Sequence, residues 1–580
     1  MSSLDDPKVL GSTRLGFADE REVDVFVEKL GQFERGELDA DAWRAFRLVH
    51  GTYGQRQDQY TMLRTKIPQG ILTPAQILAL ADVAESWSNG KGHLTTRQNV
   101  QFHFMKLADV ESAMRRLADS GMTTREACGN CVRNITTCPY AGTAKEEPFD
   151  ITPYAEALTR HLLRGTWSST LPRKFKIAFG GCCGTDCTMA AINDLGFLAA
   201  ARDGRPGFRL RIGGGTAAMP RSAFLADEFL PAEDLLEAAE AVVRVFHRVG
   251  DRQNRHKARL KYAIEKLGRD GFLADYRSAR ETIRAEGGRP YALPPQPAPP
   301  TFRPGPPGGR ESSPAFPSFL RDNVRAQKQE GFSTVTVRVP LGDVTAGQWR
   351  ALAGLAELGE GELRTTHEQN LVLRYVPDWR VAEVWRALDR IGLGKAGVRT
   401  VVDATSCPGA MSCKLAVTAS RGLAELLADH LEADPELAAK ARDLTIKVSG
   451  CPNGCGQHHV AGLGFQGGVR KVDGKAVPQY HLYVGGGVGA DGAGFGRLAA
   501  KIPARRAPAA VRKLIELYDA ARSPGEKPDD FFARVALDRV QAVLAEHTRM
   551  EAAEARPEDF VDLGEERAFV LATGKGECAM

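Results

Sequence analysis

The chain has 580 residues, 43% of them apolar, and a formal net charge of +5, which predicts several domains with buried cores and gives no indication of a nucleic-acid partner. The sequence contains no run of about eighteen apolar residues that could span a membrane, and its first residues do not resemble a secretory signal. Eleven cysteines, an odd number with several in metal-like loops, argue against a disulfide framework, so we expect a cytoplasmic protein.

A strand, a helix, a strand and a helix follow a predicted helical lead-in over residues 1–54. Pro68 and Gly70 end the first strand. Thr73 and Pro74 then open the first helix, because threonine is a good N-cap and proline fits the first turn. The predicted bounds are 60–70 and 93–103 for the strands, and 75–87 and about 110–120 for the helices.

The same order of elements returns after residue 330, which indicates a tandem duplication. Residues 335–342 echo the first strand and residues 363–373 echo the second. Further matches at a nearly constant offset pair Pro68 with Pro340, Cys138 with Cys407, Cys183 with Cys451 and Cys187 with Cys455. Between the halves, residues 290–317 are rich in proline and glycine and predict an extended linker.

Four cysteines of the second half predict a metal site. Cys407 and Cys413 are six positions apart, and Cys451 and Cys455 are four apart in the turn Ser449-Gly-Cys-Pro-Asn-Gly-Cys-Gly456. These spacings differ from the C-x2-C pairs of zinc fingers and thioredoxin-type redox sites. Neighbouring glycines let the backbone turn sharply and point N–H groups at sulfur, which suits an iron–sulfur cube.

This pattern resembles the sulfite and nitrite reductases that carry sirohaem coupled to a 4Fe–4S cluster, and the resemblance covers most of the chain. It implies both cofactors, with Cys407, Cys413, Cys451 and Cys455 as cluster ligands and Cys455 also as the axial thiolate of the sirohaem iron. It further implies an α+β fold, in which two ferredoxin-like half-domains form a pseudo-twofold central domain between two flanking α/β lobes. The expected parts are the lead-in 1–54, repeat one 55–125, the sirohaem and substrate lobe 126–289, the linker 290–329, repeat two 330–400, and the cluster lobe with its C-terminal extension 401–580.

A site for an anionic substrate and a cofactor with several carboxylates needs fixed positive charge. By resemblance, the substrate is contacted by Arg64, Arg133, Lys174 and Lys176. Arg97 belongs with the cofactor carboxylates, and the weaker candidates for cofactor hydrogen bonds are Gln98, Asn134 and Gln457. Alternation along a strand would place Lys174 and Lys176 on one face, with Phe175 on the other.

Some positions depart from the family pattern or add to it. His93 stands where some members have an arginine that contacts sirohaem, and His458 and His459 are predicted to be packing or supporting residues. The first-half set Cys138, Cys183 and Cys187 lacks a partner, because Ala144 stands near the place equivalent to Cys413, so we interpret it as a remnant that binds no cluster. Some members carry a thioether between a tyrosine and a cysteine, for which Tyr53 and Cys128 are the candidates, with Tyr60 as a second choice.

The resemblance implies six-electron reduction of sulfite to sulfide. Lys176 favours sulfite over nitrite, because nitrite reductases of the family commonly have asparagine there. The alternatives are reduction of nitrite to ammonia, an enzyme like precorrin-3B synthase, and a non-enzymatic electron carrier. No dinucleotide fingerprint follows a strand in this sequence, so the expected electron donor is a separate ferredoxin or an NADPH-dependent flavoprotein.

Overall fold

The computed structural model describes residues 16–182, 186–288, 296–298, 311–574 and 576–577. Two helices lead into the first half, α1 (Glu20–Glu34) and α2 (Ala40–Val49). Both are capped by aspartate, since Asp19 and Asp39 accept hydrogen bonds from N–H groups of the first turn. Every helix in the described part of the chain is too short or too polar to cross a bilayer.

The first half-domain follows the predicted order. Thr73 and Gln76 form a capping box at the start of its first helix, as the Thr73-Pro74 signal predicted. The elements are β1 (Thr52–Gly54), β2 (Thr61–Arg64), β3 (Ile71–Leu72), α3 (Pro74–Trp87), β4 (Lys91–Leu94), β5 (Val100–Met105) and α4 (Val110–Asp119).

The first lobe carries a mixed sheet with helices on it. Its strands run in the order β10-β9-β8-β7-β6, with β6, β7 and β8 parallel and the remaining pairs antiparallel. The elements are β6 (Thr136–Thr137), α5 (Thr152–Leu162), β7 (Ile177–Gly180), β8 (Leu195–Arg202), β9 (Arg205–Ile212), β10 (Phe224–Pro231), α6 (Leu235–Val249) and α7 (Leu260–Ala285).

The second half-domain repeats the first. Its initial helix and strand lie inside the stretch 290–329 that we predicted to be a linker. Pro317 does not prevent the helix, because it sits in the first helical turn, where a missing N–H is tolerated. The elements are α8 (Phe316–Asn323), β11 (Val324–Ala326), β12 (Phe332–Val337), β13 (Asp343–Thr345), α9 (Ala346–Ala356), β14 (Leu363–Thr365), β15 (Leu371–Pro377) and α10 (Val381–Arg390).

The second lobe repeats the first lobe and adds helices at its C-terminal side. Its sheet has the order β16-β17-β18-β19-β22, again with three parallel strands followed by antiparallel ones. The elements are β16 (Thr405–Ser406), α11 (Ser420–Glu432), α12 (Pro435–Lys440), β17 (Ile446–Ser449), β18 (Leu463–Val472), β19 (Lys475–Val484), β20 (Gly487–Gly489), β21 (Gly492–Gly494), β22 (Arg497–Pro503), α13 (Ala507–Ala521), α14 (Pro528–Arg534) and α15 (Leu537–Thr548).

The two half-domains exchange one strand each. β13 of the second half pairs with β4, giving the sheet β1-β2-β5-β4-β13, and β3 of the first half pairs with β14, giving β11-β12-β15-β14-β3. One hydrophobic core runs through both halves and includes Leu63 and Phe102 of the first and Trp349 and Leu371 of the second. The predicted pseudo-twofold central domain is therefore confirmed.

A pair of glutamines joins the halves in the same way from both sides. Gln98 donates to the Thr365 carbonyl (2.6 Å) and accepts from the Thr137 N–H (2.8 Å). Its counterpart Gln369 donates to the Leu94 carbonyl (2.8 Å) and accepts from the Ser406 N–H (2.9 Å). Each side chain thus ties its own hairpin to the other half-domain and to the lobe that follows its own half.

The second predicted strand of each repeat is a hairpin. Residues 93–103 divide into β4 and β5 around a turn in which Gln98 has a φ of 55°, and residues 363–373 divide into β14 and β15 around a turn in which Gln369 has a φ of 67°. Both turns lack the glycine or proline that usually marks such a reversal. In the first repeat the turn carries Arg97 at its tip.

Candidate active site

One cavity brings together the four cysteines of the second half and two of the cations that the sequence analysis selected. It has a volume of about 140 Å³ and lies between the first half-domain, the start of β7 and the cysteine loops of the second lobe. The predicted residues that line it are Tyr53, Arg64, Lys174, Cys407, Cys413, Cys451 and Cys455. The two halves of the chain therefore supply different parts of one site.

The parallel strands β16 and β17 place the two cysteine loops side by side. Cys407 directly follows β16, and Cys451 and Cys455 follow β17, so both loops leave the same edge of the sheet. Gly454 has a φ of 66°, a backbone conformation that favours glycine. The Gly450 N–H donates to Cys407 Sγ at 3.3 Å, the kind of N–H to sulfur contact that the glycine-rich turn predicted.

In the second lobe, neighbouring cysteines disfavour the thiolate forms of Cys407 and Cys451. Burial raises the pKa of the Cys451 thiol, and the neighbouring Cys455, Cys407 and Cys413 raise it further. Burial and Cys455 likewise raise the pKa of Cys407. A bound cation removes this penalty, because thiolates are then paired with positive charge. Four soft donors from two adjacent loops fit an iron–sulfur cluster.

Tyr53 and Arg64 line the cavity with the cluster loops, and Arg133 and Cys128 each contact one of them. Arg64 lies at the end of β2, and its Nη1 donates to Cys128 Sγ at 3.3 Å. Arg133 is 8% exposed and its Nη2 donates to the Tyr53 hydroxyl at 3.2 Å. Tyr53, Met62 and Cys128 pack together as a small buried cluster. The second choice for the tyrosine, Tyr60, instead packs edge-on against Phe104 at 5.9 Å.

Arg97 and Lys176 lie close to each other and to several other positively charged side chains. Arg97 Nη1 donates to Asn193 Oδ1 at 2.7 Å, and Nη2 donates to the Ile177 carbonyl at 3.2 Å. Burial and then Arg133 lower the pKa of Arg97 to about 9. Burial lowers the pKa of Lys176 well below its usual range, and Arg97 and Lys174 lower it further, while Cys455 raises it. Asp194, which pairs with Arg259 at 2.8 Å, offsets part of this positive charge, and a bound anion would stabilise the cations further.

Lys174 and Lys176 precede β7 rather than lying within a regular strand. Phe175 forms an isolated bridge with Val132, is fully buried and packs 5.9 Å from Phe246. Both lysines are partly exposed on either side of it. The alternation that we predicted, with Phe175 turned into the core and the lysines away from it, is therefore present without the continuous strand.

The three residues predicted to hydrogen-bond the cofactor, Gln98, Asn134 and Gln457, have different hydrogen-bond partners in the structure. Gln98 is fully buried and bridges the half-domains, so we assign it a structural role in place of the predicted cofactor contact. Asn134 donates to the Ile67 and Arg97 carbonyls, while its buried Oδ1 has no partner among the described residues. Gln457 accepts a 2.8 Å hydrogen bond from Lys447 behind the cluster loop.

Three histidines follow their predicted roles only in part. His93 turns to the second half-domain, where its Nδ1 lies 3.0 Å from Asp343 Oδ1, so its ring is held by a carboxylate of the protein. His458 and His459 are buried and their rings lie 3.9 Å apart, in agreement with a packing role.

His103, which the sequence analysis missed, lines the cavity with Gln101. Alternation along β5 was the available signal, because residues 101 and 103 share one face.

The C-terminal segment also reaches the cavity, and no sequence signal predicted this. Glu577 lines the cavity beside Gly576. Its carboxylate pairs with Arg47 and accepts a 2.8 Å hydrogen bond from the Gly54 N–H. The last described residues of the chain therefore close the side of the site that carries Tyr53.

Comparison with known proteins agrees with this arrangement. The family model for the nitrite and sulphite reductase 4Fe-4S domain matches residues 128–282 and 397–551, and the model for the nitrite/sulfite reductase ferredoxin-like half domain matches residues 53–120 and 325–391.

Relatives of similar identity carry both substrate names. The chain is 30% identical over 538 residues to the assimilatory ferredoxin-dependent nitrite reductase of Haloferax mediterranei, covering 87% of each chain. It is 32% identical over 504 residues to the ferredoxin–nitrite reductase of Leptolyngbya laminosa, covering 84% of this chain and 92% of the relative. It is 30% identical over 479 residues to the sulfite reductase (ferredoxin) of Mycobacterium tuberculosis, covering 81% of each.

A solved structure shares the fold across most of the chain. The NirA protein of Mycobacterium tuberculosis superposes with a TM-score of 0.74 at 27% identity, over 91% of this chain and 98% of that one. The duplicated half-domains, the two lobes, the four cysteines and these matches lead to one conclusion. The chain belongs to the nitrite and sulfite reductase family, whose oxidoreductases use sirohaem and a 4Fe–4S cluster.

Proposed function

We propose that this protein reduces sulfite to sulfide with six electrons that it receives from ferredoxin. The observation that carries the proposal is the position of Lys176, which interacts with Lys174 and Cys455, two residues that line the cavity together with Arg64. Reduction of nitrite to ammonia is the second candidate, because named nitrite reductases match the chain at 30–32% identity over most of its length.

The residues of the second lobe fit the cofactors. Cys407, Cys413, Cys451 and Cys455 would hold the cluster, and Cys455 would also help to hold the sirohaem. In the first half, Arg97 and Asn134, whose buried Oδ1 has no partner among the described residues, would meet polar groups of the macrocycle. When bound, the sirohaem and its cluster supply one-electron transfers to the substrate.

The first half supplies the groups that bind and protonate the anion. Arg64 and Arg133 offer planar N–H pairs that suit oxyanion oxygens, whereas Lys174 and Lys176 offer compact charge and transferable protons. Burial and neighbouring cations lower the pKa of Lys176, whereas a bound anion raises it, so the lysine is charged beside the substrate and can release its proton as the negative charge is consumed. We therefore assign proton delivery to the lysines, and charge neutralisation to all four residues.

The number of cations favours sulfite on electrostatic grounds. At neutral pH sulfite is a mixture of singly and doubly charged ions with three oxygens, whereas nitrite carries one charge on two oxygens. A fixed cation in a poorly screened pocket interacts more strongly with a dianion than with a monoanion. Asparagine in place of Lys176, as in the nitrite-type pattern, would keep a hydrogen bond and remove that advantage.

A ferredoxin donor is supported by the relatives, whose names include it. The net charge of +5 is compatible with a small acidic donor protein. The test is a comparison of kcat/KM for sulfite and nitrite, measured on purified holoenzyme with reduced ferredoxin and, separately, with reduced methyl viologen. We expect a higher value for sulfite with both donors. A strong preference for nitrite with both donors would replace sulfite by nitrite as the substrate.

We also propose the thioether between Tyr53 and Cys128, formed when a two-electron oxidant such as dioxygen takes up the two hydrogens that the ring carbon and the thiol lose. The packing of both side chains with Met62, and their contacts with Arg133 and Arg64 respectively, support this pair over Tyr60. A cross-link would hold the phenol ring in place between the two arginines. Peptide mass mapping should show the two segments joined with a loss of two hydrogens, and recovery of both peptides unlinked would contradict it.

A further inference from the structure

The first lobe contains a group of three cysteines that the proposed reaction does not use. Cys138 follows β6, and Cys182 and Cys187 lie in the loop after β7. Their Sγ atoms all lie within 4.8 Å of one another, and Cys138 and Cys187 are 3.6 Å apart. We call these three residues the first-lobe thiol group.

This group occupies the place that is pseudo-symmetric to the cluster loops. β7 and β17 occupy equivalent positions in the two lobe sheets. Cys182, which follows β7, is therefore the counterpart of Cys451, which follows β17. The sequence offset had selected Cys183 instead, which lies outside the described residues. Cys138 corresponds to Cys407 and Cys187 to Cys455, while Ala144 stands near the position of Cys413.

The spacing of the thiols fits a single metal ion. A tetrahedral ion with metal–sulfur bonds of about 2.3 Å separates its sulfur ligands by roughly 3.8 Å. In the first-lobe thiol group the Cys138–Cys187 separation is 3.6 Å and the other two are at most 4.8 Å, so small shifts bring all three to this value. The four cysteines of the cluster loops are not gathered within 4.8 Å in this way, since among the described residues only the first-lobe group meets that limit. A cube of four irons requires the wider arrangement.

The surroundings leave room for a fourth ligand and supply compensating charge. The group opens on a cavity of about 520 Å³, which Ala144 also lines. Arg325 and Arg399 line the same cavity, and the Arg399 guanidinium lies 5.1 Å from the centre of the Tyr140 ring. Three thiolates around a divalent ion carry one net negative charge, which these arginines offset. Sites with three protein ligands and an open position leave the fourth place to water or another small ligand.

We propose that Cys138, Cys182 and Cys187 bind one thiophilic divalent ion of the zinc type, with its fourth coordination position open to the cavity. Binding releases the protons of the three thiols to solvent and transfers no electrons. This site lies in the other lobe from the 4Fe–4S cysteines. It is independent of whether the enzyme prefers sulfite or nitrite.

The test is elemental analysis of the purified holoenzyme together with X-ray absorption at the zinc edge, which the iron chromophores do not obscure. We expect about one zinc per chain, with three sulfur neighbours at about 2.3 Å. The double variant Cys138→Ser/Cys187→Ser should lose zinc by about tenfold or more and keep its iron content and visible spectrum. Cys131→Ser removes a buried thiol of the same lobe outside the group and should keep both metals.

Three results would overturn the proposal. Zinc far below one per chain in the wild-type enzyme would do so without any variant. Loss of iron and acid-labile sulfide in the double variant, with no zinc in the wild type, would indicate a second cluster. Peptides joined through Cys138 with a loss of two hydrogens in unreduced wild-type protein would indicate a disulfide. The absorption measurement uses wild-type protein alone, so it decides the question even if the double variant does not fold.

Discussion

Replacing Lys176 by asparagine should lower the activity towards sulfite much more than the activity towards nitrite. Lys176 lies among Arg97, Lys174 and Arg259, and close enough to Cys455 to interact with its charge. The change keeps a polar side chain in the anion site and removes one positive charge. Since sulfite has more charge and more oxygens than nitrite, it loses more from this change.

The size of the effect follows from the position of the charge. Two unit charges about 4 Å apart interact by about 4 kcal/mol at an effective dielectric constant of 20. The remaining cations, the hydrogen bond of asparagine and solvent reduce this value. If about a third of it remains as a difference between sulfite and nitrite, near 1.4 kcal/mol, the ratio of the two kcat/KM values changes by about tenfold.

The assay measures kcat/KM for both anions on wild-type enzyme, Lys176→Asn and the control Lys414→Asn. Lys414 lines the cavity that Lys174 also lines, but Asp58 lies 2.7 Å from its Nζ and pairs with its charge, so the control should change the ratio by less than about twofold. Equal losses on sulfite and nitrite in Lys176→Asn would refute the reasoning. They would move Lys176 from the substrate to the cofactor carboxylates.

Three further predictions concern other parts of the molecule. Under the proposed ligation, in which one sulfur serves both cofactors, Cys455→Ser should disturb both the cluster and the haem spectra, and an unchanged haem spectrum would exclude the shared ligand. Gln98→Ala should lower the free energy of unfolding by about 2–4 kcal/mol in denaturant titrations, because it leaves the buried Thr137 N–H and Thr365 carbonyl without partners; a loss below about 0.5 kcal/mol would contradict its bridging role. Burial lowers the pKa of His50 to about 4, so its contribution to stability is present above pH 6.5 and is lost as the pH falls towards 4. His50→Gln should flatten that dependence, and an unchanged acid limb would show that other groups control it.

The sequence predicted those features that depend on short, local patterns. Thr73 and Pro74 specify the start of α3 by themselves, and the turn around Cys451 specifies its own tight bends. The hairpin at Arg97 escaped prediction because Gln98 adopts its positive φ for a contact with Thr365, 267 residues away. The exchanged strands β3 and β13 have two and three residues, too few for a periodic pattern.

The residues of the site also fall into those that the sequence predicted and those that it could not predict. The cysteines and most of the cations could be selected because each lies in a distinctive motif. Glu577 could not, since its contact with Gly54 joins residues 523 positions apart and nothing near it in the sequence marks it. The shift from Cys183 to Cys182 in the first lobe also required the strand positions, because a constant offset hides a change of one residue within a loop.

The exchange of β3 and β13 has a consequence for how the enzyme can be divided. A chain cut near residue 300 would give two fragments, each of which lacks the edge strand that its own sheet needs and carries the strand that the other sheet needs. Neither fragment buries its share of the common core when expressed alone, and each exposes an unpaired edge that favours aggregation. Co-expression of the two fragments from one operon should give an assembled heterodimer that copurifies through a single affinity tag.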